Sequence, residues 1–508
     1  MQYAVWLFML LLNLSECKPN IVYILTDDQD IKLGGVSNQT YVNDLLASEG
    51  LSFTNAFVTT PVCCPSRSSI LTGKYVHNHY TYENSVDAGC NAPTWRSLNE
   101  NSTIGTYLQK AGYKTGFFGK YLNNYGLPAS GVGPEHIPPG WSTWFGLIGN
   151  SKYYDYSVSN NGVLEKHGHS YEKDYFTDLV RNHSVQFIKA STDSPFFAYI
   201  ATPAPHRDAE PAPQYANVFK GKVAPRTASY GQHGKNKHWI ISEGTPSLTS
   251  NGAQLIDNLY QDRKETLLSV DDLVKEVVST LESEGILDNT FIFYNSDHGY
   301  HLGQFNQRGE KRQVYDENIR VPLIVRGPGI APNTVTEALA LNIDMAPTFI
   351  DFAGLPIPDS MDGVSLKETL EGGKIEDSYN FAVEYFGEGS PFGHDVFYTG
   401  PNIPFIHDCT NNTWYAIRSF STIGSAKKYD TTLSHYYIKD SLLPPDERDD
   451  LYFTEMYDLT EDPWQLNNLK NGDLSQDLTM MLSKMNTHLN KLAKCSGRDC
   501  RELRVTEL

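Results

Sequence analysis

Long apolar runs are nearly absent from this 508-residue sequence. The exception, Ala4 to Leu14, is too short to span a bilayer and leads into Ser15-Glu16-Cys17. Residues 1–17 read as a signal peptide, even without a Lys or Arg near their start, because Lys18-Pro19-Asn20 interrupts the run before a better strand begins. No later stretch is long and apolar enough for a transmembrane helix, so the mature chain is expected to have no membrane span. Basic residues are also in deficit: 41 Lys and Arg face 60 Asp and Glu, a formal charge of −19, or −18 once Glu16 leaves with the signal. That balance argues against nucleic acid as a partner, and any positive field for an anionic ligand must be local. Cysteine is scarce too. Of seven, Cys17 lies in the signal, and the other six are too few for a disulfide-held miniprotein. Cys495 and Cys500, in Cys-Ser-Gly-Arg-Asp-Cys, are expected to close a small loop, while the pairing of Cys64, Cys90 and Cys409 stays open. Sequons at Asn38, Asn101, Asn182 and Asn411 fit the secretory route.

What the chain does contain is alternation. Short apolar runs at Ile21–Leu25, Tyr113–Phe118, Pro195–Ala201, Thr290–Tyr294 and Val321–Val325 read as buried strands. Between them Val270, Leu273, Val274, Val277, Val278 and Leu281 recur at helical spacing, with Asp271 and Asp272 placed near that helix's start. This order predicts an α/β domain over residues 18–373 with a mainly parallel sheet and flanking helices. After Gly372-Gly373 the pattern changes to short aromatic runs such as Thr413–Ser419 and a last helix around Leu474–Ala493, giving a smaller α+β unit over 374–508. Most of the strand candidates end in polar residues, Asp27-Asp28, Lys120, His206 and Asp297-His298, at the edge where open α/β sheets bind ligands.

The decisive segment is Cys63-Cys64-Pro65-Ser66-Arg67-Ser68-Ser69-Ile70-Leu71-Thr72-Gly73. Pro65 suits the first helical position, which would set Cys63 at a helix N-terminus, a site that favours an anion. Asp27, Asp28, Asp297 and His298 form two clusters of oxygen-rich ligands that suit Ca²⁺ or Mg²⁺ better than zinc.

The segment resembles the signature of the sulfatase family, in which the first cysteine becomes formylglycine when Pro and Arg follow at these offsets. The resemblance runs across nearly the whole mature chain, down to Glu455-Met-Tyr-Asp-Leu459 and Asp462-Pro463, and it implies an alkaline-phosphatase-like fold. It implies one calcium ion held by Asp27, Asp28, Asp297 and His298 together with modified Cys63; His298 stands where many of the family have Asn. Arg67, Lys120 and Lys311 would supply positive charge, and His206 a proton for the leaving alcohol. Leu122 takes a place where the family often has histidine, so Asn123 or Asn124 is the candidate for that hydrogen bond. A hydrated aldehyde at residue 63 has a second hydroxyl that lets sulfate be expelled, whereas a serine would stay blocked as its sulfate ester.

Within the family, Gly73-Lys-Tyr-Val-His-Asn78, Thr202-Pro-Ala-Pro-His206, Asn236-Lys-His-Trp239 and Lys311-Arg-Gln313 are similar to enzymes that remove the 6-sulfate of N-acetylglucosamine. The long basic insertion by which related endo-acting enzymes grip heparan sulfate is missing. The resemblance thus implies a sulfated glycosaminoglycan, heparan or keratan sulfate, or a sulfated N-acetylglucosamine as substrate. It implies a formylglycine-generating enzyme as maturation partner, and the lysosome, or else secretion, as destination. His301, Lys237, His238, Glu384 and Arg418 are the candidates for substrate binding. The alternatives are a phosphonate or phosphate monoester hydrolase of the same superfamily, and a non-catalytic glycosaminoglycan-binding protein.

Overall fold

In the computed structural model the described residues are 18–244, 247–373, 376, 378–389, 397–398, 405–406, 408–423, 427–438 and 450–505. The signal peptide expected over residues 1–17 lies outside them.

Ten strands make the principal sheet: β1 (Asn20–Thr26), β2 (Leu51–Phe57), β3 (Lys114–Lys120), β4 (Thr143–Leu147), β5 (Ser157–Asn160), β6 (Val163–Lys166), β7 (Phe196–Ala201), β8 (Thr290–Ser296), β9 (Leu323–Arg326) and β10 (Thr334–Leu341). Their order is β10-β2-β9-β8-β1-β7-β3-β4-β5-β6. The central four, β8-β1-β7-β3, are all parallel, while β9 runs antiparallel to both β2 and β8. β1, β7 and β8 are apolar through their middles because their two faces enter different cores. Ile21, Tyr23 and Leu25 pack with Phe349 and Phe352 on one side, and Val22 and Ile24 pack with Val270, Leu273 and Val277 on the other. Burial on both faces is what produces continuous rather than alternating hydrophobic runs.

The helix carrying Val270 to Leu281 spans Ser250–Ser283. Asp271 is therefore well inside it, and the expectation that it marks the helix start is corrected. Its carboxylate instead accepts the backbone N–H groups of Tyr41 (3.0 Å) and Val42 (2.8 Å), capping the turn that follows.

A second, antiparallel sheet is built from β11 (Tyr379–Tyr385), β14 (Thr413–Ile423), β15 (Lys427–Ile438) and β16 (Asp450–Asp458), with a separate hairpin of β12 (Phe397–Tyr398) and β13 (Phe405–Ile406). The helix Gln476–Leu492 packs on this sheet through Met481, Met485 and Leu489. One hydrophobic core runs through both sheets, joining Phe57 to Phe381 with ring centroids 5.2 Å apart. Disulfides link Cys64 to Cys90 and Cys495 to Cys500; Cys63 and Cys409 are buried free thiols.

Candidate active site

The carboxyl ends of β1, β3, β7 and β8 deliver Asp27-Asp28, Lys120, His206 and Asp297-His298 to one place, and the helix Cys63–Thr72 points its N-terminus at them. The expectation that Pro65 is the first helical residue is corrected: the helix begins two residues earlier, at Cys63, and Pro65 occupies its third position, still within the turn whose N–H groups have no intrahelical acceptor. Val62 provides no side-chain cap. Asn84 substitutes from a neighbouring loop: its Oδ1 accepts the Cys64 N–H at 2.9 Å, and the Cys64–Cys90 disulfide ties the same loop down. Gly119 lets β3 approach β7 closely, since a Cβ there would lie 1.8 Å from the Ala201 carbonyl oxygen, and the next residue, Lys120, thereby enters the site.

Every group at the centre is buried. Cys63, Arg67 and Lys120 are each 1% exposed, and Asp27, Asp28, Asp297 and His298 are fully enclosed. Lys120 Nζ lies 2.7 Å from Asp27 Oδ2. Lys311 Nζ spans both Asp28 oxygens at 2.8 and 3.0 Å. Arg67 donates from Nε to Asp297 Oδ2 and from a terminal amino group to the Lys120 carbonyl, both at 2.9 Å. His298 pairs Nδ1 with the Gly299 carbonyl at 2.9 Å, which turns Nε2 toward Cys63 Sγ at 3.4 Å. His206 likewise pairs Nδ1 with the Arg207 carbonyl, and one of its ring nitrogens lies within 4.8 Å of Cys63 Sγ and an Asp28 oxygen.

These charges oppose one another in a dry setting. Burial pushes the Cys63 thiol up, but Lys120, Lys311 and His298 outweigh it and hold the group well below the ordinary thiol range. The local field at residue 63 is thus positive in a chain that is strongly acidic. Burial raises Asp297 to about 6 despite His298 and Arg67, with Asp27 adding to the rise. Asp27 Oδ1 is buried without a hydrogen-bond partner. Ligand atoms of Asp27, Cys63, Asp297 and His298 all lie within 4.8 Å of one another. A carboxylate oxygen with no hydrogen bond, facing only the Arg67 guanidinium at 3.5 Å inside a carboxylate-rich cluster, fits a hard divalent cation, which would also offset the burial and the Asp27 charge that raise Asp297.

Beside this centre opens a cleft of about 620 Å³ lined by Arg207, Tyr300, His301, Arg308, Glu310, Lys311, Arg312, Glu388 and Asp408. Of the substrate-binding candidates only His301 lines it. Lys237 is instead enclosed by the rings of Phe305, Tyr315 and Tyr457 and donates to Tyr457 Oη at 2.7 Å. His238 pairs with Glu455 at 3.0 Å, Glu384 with His77, and Arg418 with Asp316 at 2.9 Å. These four fasten the antiparallel sheet to loops and short helices around the principal sheet, and none borders the cleft. Residues the sequence reading missed include Ser151, hydrogen-bonded to Asp27, and Glu310, Arg312, Glu388 and Asp408 on the cleft wall. Arg312 sat in a motif already noted. Glu388 and Asp408 had no local signal, because chain segments distant in sequence bring them to the cleft.

The sulfatase family model matches residues 19–355. The N-acetylglucosamine-6-sulfatase of Capra hircus is 41% identical over 505 residues, covering 96% of this chain and 86% of that protein. The extracellular sulfatase SULF-1 homolog of Drosophila melanogaster is 44% identical over 361 residues, 70% of this chain and 31% of its own length. Among solved structures, BT4656 in complex with its substrate D-glucosamine-2-N,6-O-disulfate superposes with a TM-score of 0.73 at 24% identity, covering 96% of this chain and 98% of that one.

Proposed function

Because the chain belongs to the sulfatase family, we propose that it hydrolyses sulfate esters at Cys63, with the 6-O-sulfate of N-acetylglucosamine in heparan or keratan sulfate as its substrate. The observation that carries this reading is the convergence on one buried cysteine, at a helix N-terminus, of two lysines and a carboxylate-histidine cluster. Sulfatases use a formylglycine and a divalent metal, and the Cys63 Sγ stands where an oxygen of the hydrated aldehyde would be. Conversion of Cys63 supplies a nucleophilic hydroxyl and a second one through which sulfate is released.

Asp27, Asp28, Asp297 and His298, with residue 63, are the ligands for that metal, for which the oxygen-rich set favours calcium. When bound, the ion supplies Lewis-acid charge to the nucleophile and the sulfate oxygens. Lys120 and Lys311 flank residue 63 and offset charge that grows on the sulfate and the leaving oxygen. His206, with Nδ1 occupied by a carbonyl, presents Nε2 to hold a proton for the leaving alcohol. Arg67 fixes Asp297 and Lys120 relative to the helix.

The substrate assignment rests on 41% identity over nearly the whole chain to N-acetylglucosamine-6-sulfatases. A cleft of about 620 Å³ suits one or two sugar units, consistent with attack at a chain end. Asn38, Asn101 and Asn182 are exposed and open to glycosylation. The secretory route, a formylglycine-generating enzyme along it and the lysosome as destination complete the proposal. Turnover of matched aryl sulfate and aryl phosphonate esters tests the reaction class: preference for the sulfate supports the proposal, and preference for the phosphonate refutes it.

A further inference from the structure

Arg263 lies in the long helix Ser250–Ser283, behind the principal sheet's ligand edge, and is 3% exposed. A buried guanidinium carries a desolvation cost that an apolar residue there would not. Its two terminal amino groups donate to main-chain carbonyls from different strands' loops, one to Pro205 at 2.7 Å and the other to Asp28 at 2.6 Å. Its planar face stacks 3.9 Å from the Tyr300 ring centroid, in the loop that begins with Asp297 and His298. One side chain thus touches the loops after β1, β7 and β8.

One of these contacts falls where backbone placement is demanding. Asp28 has φ +73°, an unfavourable region for a non-glycine residue, and the peptides on both sides of its Cα are held: its N–H donates to Asp297 Oδ1 at 3.0 Å and its C=O accepts from Arg263. Pro205 immediately precedes His206, whose own carbonyl accepts from Tyr153 Oη at 3.1 Å. We propose that Arg263 is a positioning residue that sets Asp28 and His206 against residue 63. The planar fork suits two carbonyls at once, which a lysine ammonium on a flexible stem cannot reproduce. The assignment rests on the reading of Asp28 as a metal ligand and His206 as the proton donor.

The test compares wild type with Arg263→Lys and Arg263→Gln in full-length enzyme, after mass spectrometry has shown equal conversion of Cys63 and thermal unfolding has identified the folded variants. N-acetylglucosamine 6-sulfate, with a poor alkoxide leaving group, is compared with an aryl sulfate, and calcium affinity is measured by titration of metal-stripped protein. The expected result is a fall in kcat on the sugar sulfate of roughly 10–100-fold, a smaller loss on the aryl sulfate, and calcium binding weakened roughly 10-fold. Equal proportional losses on both substrates with unchanged calcium affinity would overturn the proposal. His206→Ala is the reference. If it shows no discrimination between leaving groups, the proton-donor reading fails, and calcium affinity alone decides whether Arg263 positions Asp28. Tyr153→Phe loosens only the His206 loop and is expected to discriminate between leaving groups without weakening calcium.

Discussion

Lys311 places its ammonium against both carboxylate oxygens of Asp28, at 2.8 and 3.0 Å, within the same buried space as Cys63. The pair holds a cation beside residue 63 at the inner wall of the cleft, where Lys311 is only 4% exposed and water screens it little. Lys311→Ala is expected to lower kcat by about 10²–10³-fold, as loss of one preorganised charge does in a dry site, in the fraction that folds. Steady-state kinetics on an aryl sulfate measures it, and a loss confined to KM would show that Lys311 only binds substrate.

The adjacent cysteines are expected to behave differently. Cys63→Ala removes the nucleophile and abolishes turnover while leaving the fold intact. Cys64→Ala breaks the bridge to Cys90, so it should lose about 2–4 kcal/mol of stability yet keep turnover once folded. Unfolding curves and sulfate release on both variants separate the two roles. Equal loss of turnover in both, each still folded, would contradict the assignment of Cys63.

Removal of divalent metal is expected to abolish activity and lower the unfolding temperature, with calcium restoring both, because a ligand that binds only the native state stabilises it by mass action. Asp27→Asn should weaken calcium binding and shrink that stabilisation, since the carboxylate whose Oδ1 makes no hydrogen bond loses its charge. Calcium titration followed by calorimetry reads this, and equal calcium affinity in the variant would count against Asp27 as a ligand.

His77 links the catalytic helix region to the antiparallel sheet. Its Nδ1 pairs with Glu384 and its Nε2 with the Cys495 carbonyl at 2.9 Å, so both nitrogens donate and the ring is held as a cation. Although burial works against the charge, Glu384 and the Cys495 carbonyl raise its pKa to about 9. A raised folded-state value means the contribution, on the order of 3 kcal/mol, is complete below about pH 6.5 and is lost as pH rises through about 9. The stability gap between wild type and His77→Gln should therefore be widest under acidic conditions and close toward alkaline pH. A gap independent of pH would contradict the charged ring.

How much of this was legible in sequence follows from which contacts are local. The runs at Ile21–Leu25 and Thr290–Tyr294 announced themselves because strands buried on both faces are continuously apolar. Cys63, Pro65 and Arg67 share one helix, so their offsets alone carried the motif. Asp271 misled, since a capping carboxylate for a distant turn looks in sequence like a helix-start residue. Lys237, His238, Glu384 and Arg418 stand as charged groups near motifs, yet their partners, Tyr457, Glu455, His77 and Asp316, join the antiparallel sheet to loops and short helices distant in sequence. Nothing within a short window distinguishes a charge that fastens a sheet to distant segments from one that grips a ligand. For the same reason Arg263 reads as one more polar position of a long helix until the loops it holds are seen.

The most direct test of the account is sulfate release from defined heparan or keratan sulfate fragments carrying N-acetylglucosamine 6-sulfate either at the non-reducing end or only at internal positions. Quantification by ion chromatography, with conversion of Cys63 verified in the same preparation, is expected to show release from the terminal sugar and little from internal ones. Release from internal residues at matching rates would contradict chain-end attack, and no release from either by fully converted, calcium-loaded protein would contradict the proposed function itself.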